Sequence, residues 1–335
     1  MRIAVIGVGR IGSLHAELLA RRVAGAELTG VADAAGPTAA AVAARLGVPA
    51  VGVEEALAGD ADAVAICTST DTHAELVAAA ARAGKAIFCE KPVSLDLAEV
   101  DAALAEVEAA GVPFQIGFNR RFDPAHQSVH DAVVSGAVGE PHLVRISSRD
   151  PAPPPLAYVQ VSGGIFLDMT IHDFDMARYV TGSEVVEVFA RGAVRIDDGF
   201  AAAGDVDTAL VTLVHASGCL TAIDNSRQAA YGYDQRVEVH GSAGMAASED
   251  PLAHTGVVRT AEGTRSAALP HFFLERYIPS YVRAWDAFRA AVDDGTPTPV
   301  AAADARAPLV IGLAAWRSLR EGRPVAVAEL EAAPR

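Results

Sequence analysis

The chain has 335 residues, 51% of them hydrophobic and 21% charged, with a formal net charge of −15 at pH 7. At roughly 150 residues per domain, this length predicts two domains, each able to bury a core, and excludes disorder or a metal-stapled miniprotein. Both sides of a boundary at 120/121 are acidic, which excludes a broad nucleic-acid-binding face. Arginine dominates the basic residues so strongly that only two lysines are present, Lys85 and Lys91. Cys67, Cys89 and Cys219 are odd in number and unpaired in spacing, and read as small core residues in a reducing, cytoplasmic compartment. No segment carries the ~18 uncharged apolar residues needed to span a bilayer, and residues 1–7 read as a first strand rather than a leader peptide.

Residues 1–118 alternate between two periods. Short apolar, β-rich runs at 2–6, 27–32, 62–67, 86–89 and 114–118 are separated by Ala/Leu/Glu-rich stretches of helical spacing at 11–22, 37–46, 72–83 and 96–110. That pattern predicts βαβ units and a parallel sheet covered on both faces. Beyond Phe118 a helix at 124–135 leads to a strand at 141–148, and Asp150 to Pro155 form a proline-rich extended loop. A helix follows Gly163-Gly164 and runs to about Tyr179. Strands at 184–196, 207–215, 218–226, 235–241 and 256–260 come next, then helices near 272–292 and 304–321. The predicted fold is α/β: a doubly wound Rossmann domain at 1–120, then an α+β domain at 121–335 on a mostly antiparallel or mixed sheet.

Gly7-Val8-Gly9-Arg10-Ile11-Gly12 sits directly after the first strand and opens the first helix, the context that a dinucleotide-binding turn requires. Gly7 permits the tight turn, Gly9 lets the backbone approach a pyrophosphate, and Gly12 lets helix and strand pack closely, while the helix start supplies N–H donors. Asp33 ends the second strand about 20 residues on, where a carboxylate accepts from ribose hydroxyls. Ala34, Ala35, Gly36 and Pro37 cannot hold a 2′-phosphate, so NAD is expected over NADP. A second cofactor-facing loop is expected at Thr68-Ser69-Thr70-Asp71-Thr72-His73. Helix capping accounts for Thr70 and Thr72 equally well, and His73 reads alone as a first-turn surface residue.

Glu90-Lys91-Pro92 also lies at a strand's carboxyl end. A generic cation in this chain would be arginine. Lysine differs in being a compact charge whose proton affinity falls on burial, so it can share a proton where arginine cannot. Lys85, after the helix stop at Gly84, is expected to be solvated. The other concentrated signal is 163–179. On one helix, Asp168, His172 and Asp175 fall at i, i+4 and i+7, on a single face. A His flanked by carboxylates suits proton exchange near neutral pH. A surface Asp/His ladder is disfavoured by the apolar neighbours Ile165, Phe166, Leu167, Ile171 and Phe174, and a metal site lacks further ligands, so no metal is expected.

These segments, with residues 117–123, resemble the Gfo/Idh/MocA oxidoreductases over essentially the whole chain. Residues 168–178, 231–238 and 272–277 look like the inositol dehydrogenase branch. The resemblance implies a catalytic set of Lys91, Asp168 and His172, with His172 as general base, Lys91 holding the reacting oxygen and Asp168 orienting both. It implies NAD contacts from Gly7, Gly9, Arg10, Ile11, Gly12, Asp33, Thr68, Ser69, Thr70, His73, Glu90 and Lys91. It implies substrate contacts from Asn119, Arg120, Asp150, Asp168, His172, Tyr231, Tyr233 and Tyr281, although Tyr277 and Tyr281 fall at helical spacing and read equally as core. Ser148 stands where some relatives carry His, so the preferred inositol isomer stays open. A cyclitol or polyol substrate, a second domain used for substrate binding and oligomerisation, and a homotetramer are implied as well. Competing readings are another polyol dehydrogenase, an NAD-dependent glycosidase and a non-catalytic NAD sensor.

Overall fold

Five runs whose side chains are almost all buried form the first sheet of the computed structural model, which describes residues 1–331. β1 (Arg2–Ile6), β2 (Glu27–Ala32), β3 (Ala63–Ile66), β4 (Ala86–Cys89) and β5 (Phe114–Ile116) are parallel, in the order β2-β1-β3-β4-β5. A parallel bridge from Val31 to Ala50 adds an extended segment outside β2. The order therefore reverses between β1 and β3, and there the carboxyl ends of a doubly wound sheet open a ligand crevice. Helices Arg10–Arg21, Gly36–Leu46, Thr70–Arg82 and Leu97–Ala110 connect the strands, with a further short helix, Val53–Ala58, that the sequence pattern did not announce. Local chemistry fixes their ends. Asp96 caps Leu97–Ala110 by accepting from Ala98 N at 2.7 Å and Glu99 N at 3.2 Å, and Gly111 closes it with φ of 63°.

The described residues divide into two units: Met1–Asn119 together with Pro279–Leu309, and Arg120–Ile278 together with residues 310–331. The sequence reading placed everything after 120 in the second domain, so the return of 279–309 is a difference. Helix Ile278–Asp294 explains it: Trp285 is fully buried, its ring stacked on Phe88 of β4 at 4.2 Å, with Phe288 edge-on to both. Burying side chains of this size contributes about 1.5–3 kcal/mol each. Helical spacing tells which face is apolar but not which sheet it covers.

The second unit is built on β6 (Pro141–Arg149), β7 (Val185–Ala193), β8 (Thr208–His215), β9 (Leu220–Ser226), β10 (Asp234–Gly241) and β11 (Met245–Ser248). β12 (Val257–Thr260) and β13 (Gly263–Ser266) form a separate hairpin, and β14 (Val325–Ala326) adds an edge. The large sheet runs β11-β10-β6-β9-β8-β7-β14, parallel only between β6 and β9, so it is mixed. Burial alternates along its strands, and the inner face packs Val144, Ile146, Val211 and Ile223 against Phe166, Phe174 and Ile311.

The single helix expected from Gly163 to about Tyr179 is corrected to two, Gly164–Asp168 and Ile171–Thr181. Three donors converge on one carbonyl, that of Ile165: Met169 N at 3.0 Å, Thr170 N at 2.8 Å and Thr170 Oγ1 at 3.1 Å. The first helix ends on them. Asp168, His172 and Asp175 therefore do not stack along one helix face. The buried Asp175 is gripped by Arg121 through Nη2 at 2.6 Å and Nε at 2.9 Å.

Candidate active site

The turn after β1 is made of backbone. Gly7 has φ of +85°, and a Cβ there would lie 2.5 Å from Thr68 N, so the loops after β1 and β3 meet in contact that no side chain permits. A Cβ on Gly12 would lie 1.8 Å from Gly7 O. Gly9 is the opposite case. Nothing of the chain lies within 4 Å of its Cβ position, so its open side can receive a ligand's backbone-hugging group. Helix Arg10–Arg21 starts beside it with no acidic residue in its first turn and no side-chain cap, leaving N–H groups aimed outward. Asp33, half-buried, accepts from Val8 N at 2.8 Å and Ala35 N at 2.8 Å. Each oxygen keeps acceptor capacity for a ribose hydroxyl. These features fit NAD. Arg10 is exposed and Ile11 half-buried; Thr68 and Thr70 are half-buried and Ser69 exposed.

His73 is not a surface residue. It is 2% exposed, with Nδ1 at 2.8 Å from Pro92 O and Nε2 at 3.0 Å from Thr68 O, so its ring ties the loop after β3 to the segment after β4. Glu90 is likewise held from inside. Trp285 Nε1–H donates to His15 Nδ1 at 2.9 Å, so Nδ1 is the acceptor and His15 Nε2–H donates to Glu90 Oε1 at 2.7 Å. Tyr281 belongs to this first unit too, its ring edge-on to His15 at 5.3 Å. Lys91 follows Glu90 directly and precedes Pro92 across a cis peptide bond. Lys85 is not simply solvated: its ammonium donates to Gly59 O at 2.6 Å and Ala61 O at 2.8 Å. Asn119, buried, ends the first segment of that unit.

The second unit gathers charge instead. Arg120, 5% exposed, donates from Nη1 to Asp173 Oδ1 at 2.7 Å and to Ser148 Oγ at 3.0 Å. Ser148 Oγ also donates to Asp173 Oδ1 at 2.5 Å, Asn225 Nδ2 donates to Asp173 Oδ2 at 2.7 Å, and Thr170 Oγ1 donates to Asn225 Oδ1 at 2.6 Å. Burial alone would lower the Arg120 pKa. Tyr277, Tyr233, Asp173 and Asp150 outweigh it and raise it. Burial pushes Tyr233 well above the usual phenol range and Tyr277 to about 12.

Beside this network stand Asp150, Asp168 and Arg227. Arg227 Nη1 lies 2.9 Å from Asp168 Oδ2 and 3.5 Å from Asp150 Oδ2, and Tyr158 OH donates to Asp168 Oδ1 at 2.9 Å. Burial raises the Asp150 carboxyl to about 6 against the pull of Arg227 and Arg120. His172 opens the next helix, half-buried, its backbone N at 3.3 Å from Met169 O.

The structure thus brings Arg120, Asp150, Asp168 and Tyr233 into one polar region of the second unit. Tyr231 is 53% exposed and bound into a separate cluster: its hydroxyl donates to Asp234 Oδ2 at 2.5 Å and accepts from Arg149 Nη1 at 2.7 Å. Sequence reading missed Arg227, Tyr158, Asp173 and the His15–Glu90 link. Arg227 follows the end of β9, the position that drew notice to Lys91, but one arginine among many carries no compositional signal. Among the described residues, no group of three His, Cys, Asp or Glu is placed to hold a metal ion. No helix there is long and apolar enough to cross a membrane.

Comparison with known proteins follows this division. Residues 1–118 match the model of an oxidoreductase family with an NAD-binding Rossmann fold, and residues 126–247 match the GFO/IDH/MocA C-terminal domain. The chain is 48% identical to a myo-inositol 2-dehydrogenase of Thermotoga maritima, covering 98% of this chain and 99% of that one. It is 46% identical to an inositol 2-dehydrogenase of Rhizobium meliloti, with 98% and 99% covered. The crystal structure of scyllo-inositol dehydrogenase from Lactobacillus casei, with bound NAD(H) and scyllo-inositol, superposes with a TM-score of 0.91 at 28% identity, covering 98% of this chain and 99% of that one.

Proposed function

This chain belongs to the GFO/IDH/MocA oxidoreductase family, and we propose that it is an NAD-dependent dehydrogenase that oxidises one ring hydroxyl of myo-inositol, or a close isomer, to a keto-inositol. The observation that carries the substrate is near-full-length identity of 46–48% to relatives that bear that activity in their names. Bound NAD supplies the hydride acceptor. His172 takes the proton of the reacting hydroxyl, Lys91 holds the oxygen as its charge develops, and Asp168 orients them. Arg120 and Asp150 contact neighbouring ring hydroxyls, a cyclitol offering donors and acceptors to both. Tyr233, Tyr281 and Asn119 are further substrate contacts in this reading.

Purified protein is tested against myo-, scyllo- and chiro-inositol and glucose, with NAD and NADP separately, by NADH or NADPH absorbance. Turnover of an inositol with NAD in clear excess over NADP is expected. Faster oxidation of glucose, or product without net reduced cofactor, replaces the reading with a sugar dehydrogenase or a glycosidase. Lys91→Arg keeps the charge and is expected to remove most turnover while NAD binding persists. Three free, buried cysteines agree with a cytoplasmic setting. Family resemblance supports a homotetramer, which light scattering tests.

A further inference from the structure

We propose that Arg227 is a positioning residue for the proton-handling machinery: its single contacting nitrogen, Nη1, fixes the carboxylate of Asp168 and is shared with Asp150, so that one guanidinium sets the charge state of both. This rests on the functional reading above for the role of Asp168, but the pairing itself stands on geometry. The Arg227 side chain is 3% exposed at the end of β9, its backbone N donating to Asp207 O at 2.8 Å. Nε and Nη2 are buried and find no hydrogen-bond partner, so the whole grip passes through Nη1. At 2.9 Å against 3.5 Å, Asp168 holds it and Asp150 competes. Asp168 is also pinned from the other side by Tyr158 OH. Asp205 accepts from Ile165 N at 3.0 Å and Val206 N at 2.8 Å, and so anchors the helix that ends at Asp168.

Two carboxylates this close cannot both ionise in a buried site without a cation between them. Arginine stays charged under all working conditions. The charged and titratable groups around the pair are Arg227, Asp205, Tyr158 and Arg120, with His172 in the following helix. Loss of Arg227 removes the positive charge nearest to both carboxylates. Loss of the Asp150 charge leaves Nη1 to Asp168 alone. These changes push the acid limb of the rate profile in opposite directions, which a purely structural role would not do.

The experiment compares Arg227→Gln, Arg227→Lys and Asp150→Asn in the full-length protein, following NADH from myo-inositol and NAD as a function of pH. R227Q is expected to lower kcat by about 10²-fold, the scale of a small misplacement at the reacting centre. Its NAD affinity, read by tryptophan fluorescence, is unchanged, and its acid limb of kcat/KM moves to higher pH. R227K restores much of the limb's position, and D150N moves the limb to lower pH. A near-wild-type kcat and limb in R227Q overturns the proposal, as does D150N shifting the limb upward. If R227Q fails to fold, R227K and D150N decide it by the same limb shifts. Thermal unfolding reads the pairing without turnover. R227Q is expected to lose more Tm at pH 8 than at pH 5 and R227K to show much less of that difference, and an equal loss at both in R227Q overturns the proposal. Wild-type protein that oxidises no inositol sinks the substrate reading instead, and the Tm comparison still decides the pairing.

Discussion

In the first unit the turn after β1 relies on what is missing: no Cβ at Gly7, Gly9 or Gly12, and no acid in the first helical turn. In the second, the region around Asp173 relies on what is present, a buried lattice of Arg120, Ser148, Asn225 and Thr170 drawn from four separate segments. The first arrangement recognises a ligand by leaving backbone N–H groups and space; it needs little polar burial. The second must pair every charge that it buries, because an orphaned buried ion costs several kcal/mol. A substitution should therefore fail in different ways: by steric exclusion of ligand at the open Gly9, by loss of fold in the lattice around Asp173.

The sharpest break of that contrast is Arg120→Ala. Leaving Asp173 buried without its cation is expected to cost about 3–5 kcal/mol of stability, read as a fall in the urea midpoint; a change below about 1 kcal/mol would mean that Ser148 and Asn225 suffice. His172→Ala is next. General-base catalysis contributes at least about 10²-fold, so kcat should drop by that factor with the urea midpoint nearly unmoved, and a small drop would send the proton role elsewhere. Gly9→Ala should leave thermal stability intact yet weaken NAD by about tenfold, on the order of 1.4 kcal/mol, in a fluorescence titration. Gly12→Ala should instead damage folding itself, because its Cβ would overlap Gly7 O.

The smallest effect concerns Asp150. Burial holds its folded pKa near about 6, above the unfolded value. A carboxyl raised in this way stabilises the fold below the unfolded pKa, and that contribution is lost as pH rises through the folded one. Asp150→Asn cannot ionise, so its Tm relative to wild type should climb between about pH 4 and above 6, at roughly 2–4 °C per kcal/mol for units of this size. A flat difference would mean that Arg227 and Arg120 fully offset the burial.

The same contrast explains what the sequence made legible. Alternating periods and the spacing from Gly7 to Gly12 and on to Asp33 are local, so the parallel sheet and the loops at 7–12 and 68–73 are legible in the sequence, while the strand order that makes the switch point is not. Arg120 and Asp173 are far apart in the chain, as are Asp168 and Arg227, and no local period records which pair meets. Spacing suggested an Asp168–His172–Asp175 face because a continuous helix was assumed. Thr170, whose hydroxyl and N–H both turn back to Ile165 O, interrupts that helix and sends Asp175 to Arg121. His73 and Lys85 show the same limit on a smaller scale. Both were assigned to the surface by position, and both are held by carbonyls that the chain supplies from other loops.

Helix Ile278–Asp294 has a consequence for how the molecule is made. During synthesis the first 119 residues leave the ribosome early, yet Phe88 and His15 acquire Trp285 only when the chain is more than four-fifths complete. Until then the sheet can pair its strands, but one of its covering layers is absent and the Glu90–His15 link lacks the donor that sets its tautomer. A fragment ending near residue 120 would accordingly emerge as a nascent domain with Phe88 and His15 uncovered on the side that Trp285 later packs.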